Sequence, residues 1–244
     1  MKKRLLRASA ALVGALAIGF ALRARAERPP ASPPPGEKTA PPPIHAVPIP
    51  VGDDPFPFDR YRHVFDTRQN RNGAGEGLIL FERSVTGRDH LGDGLEYWVV
   101  VTRVRPQATS DGRIVSREWL RSTGDAIVCG RRQEGPLVSD LDPVQTILAL
   151  PLVAGATWRW SGRSGGRPCS MDSKVEGRVR AVVGAGTFED AWRVHQETRS
   201  EDGVDHATRD LLLQPGVGLV EERATIVTDR RTVELDAALL RLED

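Results

Sequence analysis

The segment at residues 162–166, Gly-Arg-Ser-Gly-Gly, matches the G-x-S-x-G string that carries the nucleophile of many serine hydrolases. In those enzymes the serine occupies a strained strand-to-helix turn, and helix amides supply the oxyanion hole. Here two glycines and then Pro168 follow Ser164, so a helix cannot begin cleanly. We therefore predict a hairpin turn, and we keep a serine hydrolase only as the third hypothesis, one that requires Ser164 within hydrogen-bond reach of a histidine.

Histidines are the next residues that could do chemistry. The part of the chain after residue 58 contains four of them: His63, His90, His195 and His206. None is at H-E-x-x-H or paired zinc-ligand spacing, so we expect no metal site and no cofactor. A two-residue turn at 202–203 would place His195 opposite Asp210 and His206 opposite Arg199, as surface cross-strand pairs.

Cysteine usage has two interpretations. Cys129 and Cys169 are the only cysteines, and an even number in an exported protein favours a disulfide. Closing a loop of about 40 residues would stabilise the fold by roughly 4 kcal/mol on the chain-entropy model. The alternative is two buried thiols that do not meet. The Cys-x-x-Cys spacing of redox proteins is missing.

Tryptophans form a third group of candidates. Five are present: Trp98, Trp119, Trp158, Trp160 and Trp192. On the concave face of a curved sheet they could bind an apolar or sugar ligand. The alternative, which we favour, is that these large aromatic side chains fill the core of the domain.

The N-terminus resembles an export signal. A basic segment at residues 2–7 precedes an apolar run at 8–22, and Ala24-Arg25-Ala26 supplies the small residues of a cleavage site. The run is shorter than the about 20 residues needed to span a bilayer. We predict a signal peptide at 1–26 and no membrane span in the mature chain, with an uncleaved anchor as the alternative. No cysteine comes directly after the run, since the first in the chain is Cys129, and this argues against lipidation.

Charge restricts the partners of the mature protein. The whole chain has a net charge of +1, and without residues 1–26 the net charge is −5. A mildly acidic chain has no basic surface for nucleic acid or anionic membrane, so neither is expected as a partner. Residues 27–58 are rich in proline and predict a disordered, extended linker.

Residues 59–244 are predicted to form a single β-rich domain. Alternation of apolar and polar residues indicates strands at 78–85, 96–105, 113–121, 126–131, 157–163, 174–183, 192–199, 207–213, 219–227 and 232–242. The only helix candidate is 141–150. Many antiparallel strands with short turns indicate a sandwich, a barrel or a strongly curved sheet. Structural turns are predicted at Pro151, Gly155, Gly186, Pro215, Gly216 and Gly218.

Three ordered motifs carry a resemblance to known proteins. Residues 150–158 read LPLVAGATW, 186–188 read GTF with a valine at 194, and 215–220 read PGVGLV. This set resembles a group of exported bacterial β proteins of unknown function with L-P-L-x-x-G-x-x-W, G-T-F and P-G-V-G-x-V motifs. The resemblance implies a single antiparallel, strongly curved sheet or open half-barrel, similar to that of periplasmic lipoprotein carriers. It implies no catalytic residues.

These observations predict an exported protein of the periplasm or the extracellular space that is not an enzyme. The first hypothesis is an interaction or scaffold module of the bacterial envelope whose partner is another envelope protein. The alternative is a carrier that binds a small hydrophobic, acyl-chain-like ligand in an open half-barrel. Unfilled apolar volume inside the sheet would favour the carrier, and a sheet filled by its own tryptophans would favour the scaffold.

Overall fold

Twelve β-strands make up the domain. The computed structural model describes residues 62–72, 76–105, 112–229 and 231–243. The predicted signal peptide and linker lie outside these residues. In chain order the strands are β1 (Arg62–Arg71), β2 (Glu76–His90), β3 (Glu96–Arg105), β4 (Arg113–Ser122), β5 (Ala126–Glu134), β6 (Leu137–Ala149), β7 (Thr157–Ser164), β8 (Arg167–Val183), β9 (Gly186–Ser200), β10 (His206–Gln214), β11 (Gly218–Val227) and β12 (Thr232–Glu243).

Each strand pairs antiparallel with its neighbours along the chain, and β1 also pairs with β12, so the sheet closes into a barrel. The all-β antiparallel class predicted from the sequence is confirmed. The closure differs from the open half-barrel that the resemblance implied. The ring closes because β1, a strand not predicted from the sequence, pairs with β12. This pairing runs along the whole length of β1, from Arg62–Glu243 to Arg71–Val233.

The helix predicted at 141–150 is wrong, because this segment belongs to strand β6. Leu141, Gln145 and Leu148 are buried, and their spacings of four and three residues resemble one face of a helix. The spacing has another cause here. The ladder between β5 and β6 shifts register twice, and each irregularity changes which residues of β6 face inward.

The hairpin formed by β9 and β10 has the register that the sequence predicted. His206 is opposite Arg199 and His195 is opposite Asp210, which confirms the two cross-strand pairs. His195 Nδ1 lies 2.8 Å from the Asp210 carboxylate on the exposed surface. These histidines therefore stabilise a hairpin and lie apart from the barrel interior.

The predicted turn residues lie at connections between strands. Pro151 and Gly155 are in the β6–β7 connection, where the Gly155 N–H donates to the Val175 carbonyl at 2.8 Å. Gly186 begins β9, and Pro215 with Gly216 forms the β10–β11 turn. The φ angles of Gly216 and Gly218, 78° and 98°, are in the region where a side chain would be strained.

The up-and-down topology gives the barrel two distinct ends. We call proximal the end where β1 begins and β12 finishes; it also holds the β2–β3, β4–β5, β6–β7, β8–β9 and β10–β11 connections. The distal end holds the other six connections, from β1–β2 to β11–β12. The linker sequence therefore joins the barrel at its proximal end.

Candidate functional site

The barrel encloses a cavity of about 100 Å³ in its proximal half. Its walls come from eight strands, so it lies inside the barrel. Most of the lining is apolar: Phe65, Val100, Leu120, Ile127, Ile147, Leu148, Leu211, Leu213, Val217 and Leu219. Three charged side chains, Arg83, Glu118 and Arg209, line it as well. The cavity therefore combines apolar walls with a charged region at mid-barrel.

Glu118 is at the centre of this charged region. Arg83 donates to one of its carboxylate oxygens at 2.7 Å, and Arg132 donates to the other at 3.3 Å. Burial alone would raise the pKa of Glu118, but the guanidinium groups of Arg83, Arg132 and Arg209 together hold it below its usual range. Glu118 is therefore a carboxylate held by several arginines.

A second ion pair continues the charged region. Arg209 Nε donates to Glu222 at 2.9 Å, and the Glu222 side chain is 0% exposed. Next to it, the Gln196 amide donates to the Ile147 carbonyl at 2.8 Å and approaches Ser173 Oγ at 3.4 Å. These contacts form a polar layer across the middle of the barrel, on the distal side of the apolar cavity.

Glu134 adds a third carboxyl group at the distal end of β5. It is half-buried, and loss of hydration raises the pKa of its carboxyl group to about 8, with Glu118 adding to the increase and Arg132 opposing it. The carboxyl group is therefore mostly protonated and neutral at pH 7.

The contact between β6 and β7 is the weakest seam of the barrel. These strands pair only at Leu141–Ser164 and Asp142–Arg163. Closer to the proximal end, indole hydrogen bonds replace backbone pairing. The Trp158 and Trp160 indoles donate to the carbonyls of Thr146 and Pro143 at 3.3 and 3.0 Å. Side chains therefore close the barrel where backbone pairing stops.

Gly162 allows the two strands of this seam to approach. A Cβ at this position would lie 2.6 Å from the Asp142 carbonyl oxygen, 2.6 Å from the Trp160 ring and 2.9 Å from Pro143 Cδ. On the lumen side of the seam, the bond from Gln196 holds the Ile147 carbonyl of β6. Because Ile147 also lines the cavity, the seam borders the cavity directly.

None of the five tryptophans considered as candidate ligand-facing aromatics lines this cavity. Trp158 and Trp160 lie in the seam. The Trp119 indole donates to Asp89 at 2.9 Å. The guanidinium groups of Arg88 and Arg178 stack 3.8 and 4.8 Å from the rings of Trp98 and Trp192. The tryptophans support strand contacts, and aliphatic residues form most of the cavity wall.

No disulfide joins Cys129 and Cys169; both are buried free thiols, which is the alternative that the sequence left open. They lie on β5 and β8, which do not pair, and they pack into one apolar cluster with Trp160 and Met171. The Cys129 thiol donates to the Arg131 carbonyl at 3.3 Å. Burial raises the pKa of Cys129 to about 11.

The tip of the β8–β9 hairpin reaches across the proximal end. The Ala185 N–H donates to the Leu239 carbonyl at 2.9 Å, just beyond the last β11–β12 pair at Ala238. Ala181 and Ala191 of this hairpin share a buried cluster with Val217, a wall residue of the cavity. The hairpin therefore packs against the proximal boundary of the cavity.

The structure does not place Ser164, the candidate nucleophile of the sequence, at a strand-to-helix turn. Ser164 ends β7 in a hairpin whose glycines, Gly165 and Gly166, have φ angles of 57° and 81°. Within the described residues there is no helix after this serine, so the nucleophile-elbow geometry does not form there. In the same part of the chain, no three His, Cys, Asp or Glu side chains are placed to hold a metal ion. That part also has no helix long and apolar enough to cross a bilayer.

The charged residues of the lumen were not predicted from the sequence, although a signal for them exists. In β11 the buried positions alternate as Val220, Glu222, Ala224 and Ile226. An acid at an inward position of such a strand must have a partner inside the barrel. Arg209 has the same setting in β10, between Ala207 and Leu211. A charged residue at a position where the alternation predicts an apolar one was therefore the signal that could have identified them.

Fold and cavity together define a closed antiparallel barrel with an internal site. Neither family models nor curated proteins match this chain. Two crystal structures are similar to it. A candidate lipoprotein from Parabacteroides distasonis ATCC 8503 has a TM-score of 0.39 and 14% identity, covering 78% of this chain and 98% of that one. A candidate exported protein with a YmcC-like fold from Bacteroides fragilis NCTC 9343 has a TM-score of 0.37 and 10% identity, covering 78% and 99%. At these TM-scores neither likeness carries information about binding.

Proposed function

We propose that this chain is an exported, non-catalytic carrier that binds a small hydrophobic ligand inside its barrel. The observation that carries the proposal is the cavity of about 100 Å³ with ten apolar wall residues. These walls are expected to take up a short apolar group, because burying it there removes hydrocarbon surface from water. The signal peptide predicted at residues 1–26 supports export to the periplasm or the extracellular space.

Entry from the proximal end is favoured by the lining residues. His63, Val217 and Gly218 belong to the proximal rim and also line the cavity. His63 Nε2 lies 2.7 Å from the Val217 carbonyl, which can only accept, so this nitrogen carries the proton. The contact joins β1 to the β10–β11 turn, and its opening would widen the rim.

An interaction module remains the second candidate, because one observation favours it. Five exposed apolar side chains belong to the distal half of the barrel or its connections: Ile114, Leu137, Val138, Val204 and Val227. The linker sequence joins at the opposite end, so the distal end would be presented to an envelope protein. The cavity gives the carrier the stronger support, since the scaffold requires no internal volume.

Binding of 1-dodecanol to the purified mature protein tests the carrier. Leu213 is 5% exposed and lines the cavity, so Leu213→Phe should fill part of it and weaken binding at least tenfold. The control is Val138→Phe, because Val138 is 54% exposed and distal to the cavity. Isothermal titration below the solubility limit of dodecanol measures both affinities. The proposal fails if no dodecyl amphiphile, neutral or charged, binds the unmodified protein.

A further inference from the structure

We propose that the natural ligand is a single-chain amphiphile whose anionic head group binds Arg83 at the charged region of the lumen. The inference rests on the proposed function, since it assigns a chemical class to the ligand of the same cavity. It commits to an anion on an alkyl chain. Carboxylate and phosphate head groups share this chemistry, and the experiment below distinguishes them.

The charge of the lumen cluster favours an anion. Arg83, Arg132 and Arg209 supply three positive charges, and Glu118 and Glu222 supply two negative ones. Glu134, at the distal side, is mostly protonated below pH 8 and adds little negative charge. These five side chains therefore carry one positive charge in excess, in a lumen that is partly open and lined mostly by apolar side chains. A bound anion would compensate this charge where the apolar walls reduce screening by water.

The geometry places the head group and the tail at different depths. Arg83 and Arg209 line the cavity from the middle of β2 and β10, whereas Leu213, Val217 and Leu219 line it at the proximal side. A head group at the arginines would therefore leave the first carbons of the alkyl chain against the aliphatic wall. The rest of the chain would pass through the proximal rim, because a cavity of about 100 Å³ is smaller than the roughly 150 Å³ that takes up benzene. The chain would point toward the proximal rim, where the linker sequence joins the barrel.

Arg83 is the arginine best placed to recognise the head group. A guanidinium carries five N–H donors in a planar fork that suits carboxylate and phosphate oxygens. Arg83 donates through Nη2 to Glu118, and its side chain is 20% exposed although it lies on the lumen side. Arg132 is 8% exposed and does not line the cavity. Arg83 therefore presents a guanidinium to the ligand while Glu118 fixes its orientation.

Other ligand classes fit these observations less well. A cationic head group would add to the positive excess beside three guanidinium groups. A neutral alcohol would satisfy the walls but leave the charge uncompensated. A sugar would place its hydroxyl groups against ten apolar side chains, where few hydrogen-bond partners are available.

A head-group series on the full mature protein tests the inference. The probes are laurate, dodecyl phosphate, 1-dodecanol and dodecyltrimethylammonium. Each is titrated calorimetrically, the three charged probes below their micellar concentrations and dodecanol below its solubility limit. We expect laurate or dodecyl phosphate to bind at least tenfold more tightly than dodecanol, and the ammonium probe to bind most weakly. The tighter of the two anions identifies the head group.

Variants connect this preference to Arg83. Arg83→Met should weaken binding of the anionic probes at least tenfold. The affinity for dodecanol should stay within about twofold of that of the unmodified protein, since Glu118 keeps its bond to Arg132. Arg83→Lys should keep most of the preference. The control is Arg223→Met, whose side chain is 66% exposed on β11. Circular dichroism and Tm report whether each variant folds.

The outcomes separate the two proposals. Equal affinities for laurate, dodecyl phosphate and dodecanol, or an anion preference that survives Arg83→Met in the folded variant, would overturn the anionic class and leave the carrier intact. Tighter binding of the ammonium probe would do the same. Failure of all four probes would overturn the carrier and the inference together. The head-group series on the unmodified protein keeps the test decisive if Arg83→Met does not fold.

Discussion

The ion pair between Arg209 and Glu222 should be far more costly to break than to replace. Glu222 is 0% exposed and accepts from Arg209 at 2.9 Å. Arg209→Met would leave a carboxylate buried in the barrel without its guanidinium partner. Breaking a buried pair in this way costs about 3–5 kcal/mol, because the remaining charge is neither hydrated nor compensated. We expect that loss in the free energy of unfolding.

Glu222→Leu should cost less, about 2 kcal/mol, because Arg209 still has an opposite charge nearby. Its guanidinium acts electrostatically on Glu118, and its side chain is 12% exposed to the lumen. The double variant replaces the pair with apolar groups of similar volume. It should lie within about 1 kcal/mol of the unmodified protein, since neither charge of this pair is left buried alone. The two substitutions should therefore be strongly coupled.

Urea unfolding followed by tryptophan fluorescence measures all four proteins, provided that the m-value stays constant. The matched control is a pair on the same strand whose arginine is exposed, Arg223 (66% exposed) with Glu221 at 2.8 Å. Its loss in Arg223→Met should cost no more than about 1 kcal/mol. The reasoning fails if the effects of Arg209→Met and Glu222→Leu add in the double variant, or if each alone changes stability by less than about 1 kcal/mol.

Three further predictions concern the seam, the distal carboxyl group and the thiols. Gly162→Ala should destabilise the protein by about 1–3 kcal/mol, since the new Cβ would overlap β6, whereas Gly92→Ala, with nothing within 4 Å of its Cβ, should be nearly neutral in the same urea assay. Glu134 has a pKa of about 8 in the folded protein and 4.5 as its ordinary value, so the unfolded chain loses this proton first. The free energy of unfolding should fall as pH rises between those values, by up to about 1.4 kcal/mol per pH unit, and Glu134→Gln should flatten that slope; a slope unchanged by the substitution would refute it. Cys129 and Cys169 should react with a thiol reagent only after unfolding, as two thiols per chain, and a mass two hydrogens below the reduced chain would instead establish the disulfide.

Strand content was predictable because alternation is a local property. The pattern at 96–105 coincides with β3 (Glu96–Arg105), and the pairing of His195 with Asp210 followed from a turn and a period of two. The same reasoning failed at 141–150, because register shifts against β5 changed the inward phase of β6. Alternation counts residues along one strand, and a bulge is decided by two strands together.

The candidate site was less accessible to sequence reasoning. Tryptophans drew attention as large aromatic side chains, yet the cavity wall is mostly aliphatic and Trp158 and Trp160 close the seam. Glu118 and Glu222 lie within predicted strands and were not singled out from the sequence. Their importance depends on which face of each strand points inward, and that requires the register of the whole ring.

The sequence by itself determined the features that depend on near neighbours: an all-β domain, the register of the β9–β10 hairpin, turns at Gly216 and Gly218, and the pattern of an export signal. Tertiary structure decided the closure of the ring by β1 and β12 and the meeting of Arg83 with Glu118 across 35 residues of chain. It also decided that two cysteines sharing one cluster remain separate thiols. The physical reason is that closure, lumen charge and cavity volume depend on contacts between strands distant along the chain, and local periodicity contains no record of those distances.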